Sequence, residues 1–361
     1  MIPENIKKKT IIIAILLLAT TIAFTSCEKA TEPEIIKPGR RDYTWTVDTL
    51  QIFAKELTKM WGSSPTDVWA VGAGGDGRDD LWHYDGKEWT SAGVYTTNPW
   101  CIHGFSKDNI WIAGTDGDIW HYNGKTWEQS LDYRKELGYQ YYHNVLFEDI
   151  WGDSPNNIYA VGMVDSVAEF SKFPPTRFGI IMHYNGKKWS RVNIGKNRRG
   201  IFSVIRKGYK TSNKYYIFNV IQTIGVIDST KYFEFDGKKL KEIYYGGHHW
   251  HSYIQLIDHE VIFTIDDGIY TYNNSFHLIA ENPYVQNYQV VRGRSKKDII
   301  WTMADGLTHY NGTDFEYILN FESYHFNDGH IRVRNGVVFN KEVFFVTNGD
   351  RNNYIFHGVL K

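Results

Sequence analysis

The chain repeats itself, and this repeat constrains the fold more than any other feature of the sequence. The stretch "WGSSPTDVWAVG" at residues 61–72 returns as "WGDSPNNIYAVG" at residues 151–162. A looser copy, "HGFSKDNIWIAG", lies between them at residues 103–114. A unit that recurs along a chain with the same turn residues and the same apolar run predicts an array of identical supersecondary units.

Tight turns within the unit predict antiparallel strands. The turns "YDGKEW", "YNGKTW", "YNGKKW" and "YNGTDF" recur at residues 84–89, 122–127, 184–189 and 310–315. Asp-Gly and Asn-Gly supply the positive φ angles that a two-residue hairpin needs. One unit reads as four short strands, "WCIHGF", "NIWIAGT", "DIWHYN" and "KTWEQSL", so each unit is predicted to be a four-stranded antiparallel meander.

The second strand of the unit occurs seven times, from "DVWAVG" at residues 67–72 to "EVFFVT" at residues 342–347. The seventh unit ends at "YIFHGVLK" and lacks a fourth strand, whereas "DYTWTVDTL" at residues 42–50 is a strand without a unit. Pairing the two ends of the chain closes a ring and removes exposed sheet edges. We therefore predict an all-β fold over residues 42–361, a seven-bladed β-propeller closed by the N-terminal strand.

The N-terminal residues have the pattern of an export signal. Residues 7–9 are lysines, residues 10–24 are mostly apolar, and "FTSC" ends the stretch at Cys27. The apolar run is shorter than the stretch of about 20 residues that a membrane-spanning helix needs. We predict a lipoprotein signal peptide over residues 1–26, a lipidated Cys27, and a flexible tether over residues 27–41, which carry charges and two prolines. An ordinary signal peptide cleaved near Cys27 is the alternative.

The residues of the repeat also resemble those of known protein families. "WGSSPTDVWAVG" and "LWHYDGKEW" resemble blades of bacterial β-propellers of the BNR, Kelch and two-component-regulator types. A lipobox followed by a propeller resembles exported lipoproteins of the Bacteroidetes, which implies an anchor in the outer membrane on its periplasmic or surface side. The Asp-box of sialidases, Ser-x-Asp-x-Gly-x-x-Trp, is matched in no blade, so no sialidase activity is implied.

The links between blades are the candidate binding surface. Aromatic residues make up 16% of the chain, and five of the six links carry them, including "GGHHWHSY" at residues 246–253. Aromatic faces beside polar donors suit the apolar faces and hydroxyl edges of a sugar ring, and arginines suit the carboxylate of an acidic sugar. The predicted ligand-binding residues are Trp100, Tyr142, His143, Arg198, Arg199, His248, His249, Trp250, His251, Tyr253, Tyr288, Tyr324 and His325.

These residues favour a non-catalytic protein that captures a carbohydrate or another small ligand. The net charge of −1 gives no reason to expect nucleic acid as a partner, and the membrane is expected only through the lipid anchor. A divalent metal held by His249 and His251 with His325 or His143 stays open, although no known zinc spacing is matched; otherwise no cofactor is expected. A polysaccharide lyase or hydrolase using the His and Asp residues is one alternative. A scaffold that docks proteins through the insertion at residues 166–178 is the other.

Overall fold

Short strands joined by tight turns make up nearly all of the described chain. The structure, a computed structural model, describes residues 39–50, 56–73, 80–93, 98–137, 144–165, 176–195, 198–209, 214–223, 226–247, 252–284, 287–324, 326, 328 and 331–361. For residues 73, 223, 226–227 and 287–289 only the backbone is described.

The first described strand is β1 (Tyr43–Leu50), and four-stranded sheets follow it along the chain. Blades 1 to 3 are β2 (Glu56–Ser64), β3 (Asp67–Ala73), β4 (Leu81–Tyr84), β5 (Trp89–Ser91); β6 (Pro99–Ser106), β7 (Asn109–Gly114), β8 (Asp118–Tyr122), β9 (Trp127–Asp132); and β10 (Val145–Ser154), β11 (Asn157–Asp165), β12 (Arg177–Tyr184), β13 (Trp189–Arg191). A short helix, α1 (Tyr133–Leu137), follows β9.

Blades 4 to 6 continue the same order. They are β14 (Ile201–Lys207), β15 (Tyr215–Thr223), β16 (Val226–Phe235), β17 (Leu240–Gly246); β18 (Tyr253–Ile257), β19 (Glu260–Ile265), β20 (Gly268–Tyr272), β21 (Phe276–Glu281); and β22 (Asn287–Ser295), β23 (Asp298–Met303), β24 (Gly306–Tyr310), β25 (Phe315–Asn320). Blade 7 has β26 (Arg332–Val338), β27 (Glu342–Asn348) and β28 (Asn353–Leu360).

The ring closes as the sequence predicts. Strand β1 pairs antiparallel with β28, from Tyr43 opposite Leu360 to Leu50 opposite Asn353, and so becomes the fourth strand of blade 7. The first strands of neighbouring blades contact one another around the whole ring, with β26 next to β2. The fold is therefore a seven-bladed β-propeller, and its seven first strands line the central channel.

Two side chains near the N-terminus fasten the closing strand to blade 6 as well. Trp45 donates from Nε1 to the carbonyl oxygen of Ile318 at 2.9 Å. Arg41 pairs with Asp314 at 2.6 Å and with Glu316 at 2.7 Å. The N-terminal segment thus contacts blades 6 and 7 together.

A repeated side-chain motif joins the second and third strands in blades 1, 2, 3 and 6. In blade 1 the Asp67 carboxylate accepts from Nε1 of Trp69 at 3.0 Å and lies 2.8 Å from Nε2 of His83, whose ring stacks on Trp69. His121, His183 and His309 have the same kind of partner in Asn109, Asn157 and Asp298. The histidines of the repeated "HYN" and "HYD" therefore serve packing.

The apolar core lies between blades. Val68 and Ala70 of blade 1, for example, pack with Phe344 and Val346 of blade 7. Each blade is thereby held by burial on both of its faces. Across the described ranges, no helix has the length and apolarity needed to cross a membrane.

Candidate functional site

A β-bulge near the start of the first strand gives almost every blade one side chain for the channel. The pairing register shifts there in the first strands of all blades except blade 5, where β18 and β19 pair regularly. A bulge leaves a residue out of the ladder and re-aims its side chain. The single bulged residues of blades 1, 2, 3, 4 and 7 are Thr58, Trp100, Glu148, Ser203 and Arg334; blade 6 skips residues 288–290.

The glycine that ends each "AVG" or "IAG" of the repeat is needed because of this bulge. A Cβ at Gly72 would lie 1.9 Å from the carbonyl oxygen of Glu56, and one at Gly162 would lie 1.9 Å from that of Leu146. Only glycine permits such a close approach of two backbones. These glycines are thus a sequence signal for the bulges.

The bulged side chains surround a cavity of about 490 Å³, which we call the mouth cavity. This volume lies within the range of small-molecule pockets. The charged and aromatic side chains that line it are Lys59, Trp100, Glu148, Arg177, Phe218, Tyr253 and Arg334. Amides of Asn144, Gln222 and Asn335 complete the polar lining. The mouth cavity lies at the end of the channel where the links between blades enter, the face that the repeat predicts for binding.

Hydrogen bonds between neighbouring blades fix the wall of the mouth cavity. Trp100 donates from Nε1 to Oε2 of Glu148 at 3.1 Å, and its carbonyl oxygen accepts from the hydroxyl of Thr58 at 3.1 Å. Arg177 donates to the amide oxygen of Gln222 at 3.2 Å. Arg334 pairs with Glu56 of blade 1. The indole of Trp100 is partly exposed, so it is oriented before any ligand arrives.

A layer of polar side chains divides the channel below the mouth cavity; we call it the waist. Lys59 of blade 1 reaches across the channel to blade 5, where its Nζ lies 3.2 Å from Oη of Tyr253. Arg206 pairs with Asp149, and Arg292 donates to Asn335 at 2.8 Å. Below these contacts lies a second cavity of about 270 Å³.

The waist carries more positive than negative charge, and this excess lowers the pKa of Tyr253. Burial by itself raises the pKa of the phenol, but the charges of Lys59, Arg292 and Arg206 outweigh it, so the pKa of Tyr253 is lowered. Burial alone lowers the pKa of Lys59, and its interactions with Tyr253 and Asp149 reverse that shift, so this pKa is raised. Lys59 is thus held as a cation.

The structure brings two of the predicted site residues together. Trp100 and Tyr253 line the same cavity. Arg198 and Arg199 lie on the exposed surface before β14, where the guanidinium of Arg198 lies 5.9 Å from the centre of the Phe233 ring. Tyr324 stacks on Phe326 and also contacts Phe356 of blade 7.

The remaining predictions fall outside what the structure describes. Tyr288 belongs to β22, but only its backbone is described. The other predicted residues lie wholly outside the described ranges: Cys27, Tyr142, His143, His248, His249, Trp250, His251 and His325. They stay predictions. Sequence reasoning missed Lys59, Glu148, Arg177 and Arg334, which lie within strands and not in links.

Carboxylates on the face of the mouth cavity meet in blade 2. Burial, together with the charges of Asp132 and Asp116, raises the pKa of Asp118 to about 6. Arg134 pairs with Asp116 at 2.9 Å. Among the residues that the structure describes, no group of three or more His, Cys, Asp or Glu side chains is placed to hold a metal ion. The metal and enzyme alternatives that rest on His249 and His251 stay predictions.

Comparison with solved structures supports the seven-bladed fold. No protein-family model and no curated protein matches the chain. The structure of YCF48 bound to D1 peptide is similar at a TM-score of 0.59 and 12% identity, covering 89% of this chain and 98% of that one. YCF48 from Cyanidioschyzon merolae and a streptogramin B lyase each have a TM-score of 0.57 and 12% identity, covering 86% of this chain and 98% and 97% of theirs. This chain therefore shares the seven-bladed propeller fold with a peptide-bound protein and with a lyase.

Proposed function

We propose that this protein is a non-catalytic binding protein and that its mouth cavity captures a carbohydrate. The observation that carries the proposal is the set of bulged side chains. Neighbouring blades place different residues at one structural position, among them Thr58, Trp100, Glu148 and Arg334, and all of these line one cavity. A packing role would favour similar residues there, as in the repeated His motif, whereas a binding role favours variation.

The chemistry of the lining suits a sugar. Trp100 offers an indole that is partly exposed and held in place by Glu148. Amide side chains of Asn144 and Gln222 offer donors and acceptors on the same wall. A sugar ring packs its apolar face on an aromatic ring while its hydroxyl groups bond to amides. The predicted "GGHHWHSY" link leads directly into Tyr253, so Trp250 is proposed to belong to the same site.

Replacing Trp100 by alanine is expected to weaken carbohydrate binding about thirtyfold, because an aromatic anchor in an interface contributes about 2 kcal/mol. Binding is measured by calorimetry with the best oligosaccharide from an array of neutral and uronate-containing glycans. Tyr245→Ala is the matched control, since Tyr245 is 62% exposed on β17 and does not line the cavity. Unchanged affinity of the folded Trp100→Ala variant would rule out the mouth cavity, and an array without any binder would remove the carbohydrate proposal.

A peptide is the second candidate ligand. One structurally similar propeller is YCF48 bound to a D1 peptide. The ammonium group of Lys59 lines this mouth cavity together with Arg177, which also pairs with Asp165 at 3.7 Å, and such cations suit an acidic side chain or a terminal carboxylate. A peptide array run beside the glycan array separates the two candidates. Binding of acidic peptides without binding of any glycan would favour the peptide.

We further propose that Cys27 anchors the protein by a lipid in the cell envelope. The support is the lipobox-like "FTSC" that ends the apolar stretch. Cys27→Ser is expected to release the protein from the membrane fraction while the melting temperature of the propeller stays unchanged, because one modified residue supplies the anchor. Fractionation followed by immunoblotting measures this. A Cys27→Ser protein that stays in the membrane fraction would contradict the anchor.

A further inference from the structure

We infer that the floor of the mouth cavity binds the carboxylate of an acidic sugar between Lys59 and Tyr253. The inference rests on the proposed carbohydrate binding and deepens it, because it names the class of sugar and the groups that select it. The sequence did not indicate Lys59 as a site residue, and it predicted Tyr253 only as an aromatic residue of the binding surface.

Lys59 is a partly buried cation that lacks a carboxylate partner. Its Nζ lies 3.2 Å from Oη of Tyr253, and within the described part of the chain no Asp or Glu oxygen lies within salt-bridge distance of it. Removing part of an ammonium group from water without pairing it is costly, and an incoming anion offsets that cost. The ammonium has three N–H groups and the phenol one O–H, so donors remain for a carboxylate that approaches from the mouth cavity.

The charges around Lys59 favour an anion further. The cations Arg206 and Arg292 lie at the waist beside Tyr253, while the one carboxylate among them, Asp149, is already bonded to Arg206 and to the backbone N–H of Ile205. On the wall above, Glu148 is bonded to Trp100; burial raises the pKa of its carboxyl group, although the charge of Lys59 opposes that rise. The floor therefore keeps a surplus of positive charge that the protein itself does not neutralise.

The position of Lys59 favours a sugar acid over a free inorganic anion. The mouth cavity above the floor has about 490 Å³, far more than a lone anion needs, and Trp100 lines its wall. A uronate ring places its carboxylate at one end and an apolar face at its side. Such a ring can reach Lys59 with its carboxylate while its face packs against the indole.

The test compares an oligosaccharide containing glucuronate with the same oligosaccharide after carboxyl reduction to glucose. Wild-type protein is expected to bind the acidic form at least tenfold more tightly, because a hydrogen bond to a charged group contributes about 1.5–3 kcal/mol. Lys59→Met, which keeps the length of the side chain, is expected to bind the two forms alike. Lys87→Met, which changes an exposed lysine in a hairpin turn of the same blade, is expected to keep the preference.

The outcomes separate the inference from the function on which it rests. Equal binding of the two forms by wild-type protein, or a preference that survives in folded Lys59→Met, would overturn the inference and leave carbohydrate binding intact. Binding of inorganic phosphate as tight as that of the acidic oligosaccharide, or Lys59-dependent binding of an acidic peptide alone, would overturn the sugar as the ligand. Tyr253→Phe removes only the hydroxyl and is expected to lose part of the preference, which supports direct donation by the phenol.

Discussion

A chain that lacks residues 39–50 is expected to lose its cooperative unfolding transition. The deletion removes all eight residues of β1, which pair with β28 from Tyr43 to Leu50, and also the contacts of Trp45 with blade 6. Blade 7 would then present an open sheet edge. The expected loss of unfolding free energy is comparable with the total stability of a domain, about 5–15 kcal/mol. Urea unfolding followed by circular dichroism measures it, with a chain that begins at residue 39 as the control.

A milder variant keeps this prediction testable where the deletion does not accumulate as folded protein. Trp45→Ala retains β1 but removes the bond to the Ile318 carbonyl and the ring that packs on Gly358. We expect it to lower the free energy of unfolding by about 2 kcal/mol, from lost burial of the ring and a lost hydrogen bond. A deletion chain that melts like the control would mean that the ring does not depend on its N-terminal strand.

Asp149→Asn is expected to lower the free energy of unfolding by about 3–5 kcal/mol, because it leaves the buried guanidinium of Arg206 without a counter-charge. The carboxylate pairs with Arg206 and accepts from the N–H of Ile205 at 3.1 Å, and its side chain is 4% exposed. Removing it also leaves the waist with still more positive charge. Equilibrium urea unfolding gives the measurement.

The control for Asp149→Asn breaks an ion pair on the surface. Glu242 pairs with Lys231 at 2.8 Å, and its side chain is 43% exposed. Glu242→Gln is expected to cost less than about 1 kcal/mol, since solvent screens such pairs. If the two variants lose the same stability, the waist pair is not a buried structural element.

The blades could be predicted because their signals are local. Asn-Gly and Asp-Gly turns fix hairpins within a few residues, and the unpaired strand at residues 42–50 matched the strand that the last unit lacked. The bulges were harder to predict, because one inserted residue interrupts the two-residue alternation of a short strand at a single point. The sequence signal of a bulge is the glycine on the facing strand, as at Gly72, where two backbones approach closely.

The waist could not be predicted for a different reason. Lys59 and Tyr253 are 194 residues apart in the chain and belong to blades that are not neighbours, so no local pattern links them. Arg177 likewise begins the third strand of its blade and lines the cavity, although no local pattern marks it. Trp100 and Tyr253, which were both selected from links, line one cavity, because links enter the channel at a single end.

The bulges separate the residues that line the cavity from those that hold the blade together. A bulged residue such as Thr58 or Ser203 takes no place in the strand ladder, so replacing it alters the cavity without altering the pairing that holds the blade. Stability and the shape of the cavity are thereby encoded by separate positions of one repeat. Single substitutions at bulged positions can therefore remodel the cavity one blade at a time, while the apolar core between blades stays the same.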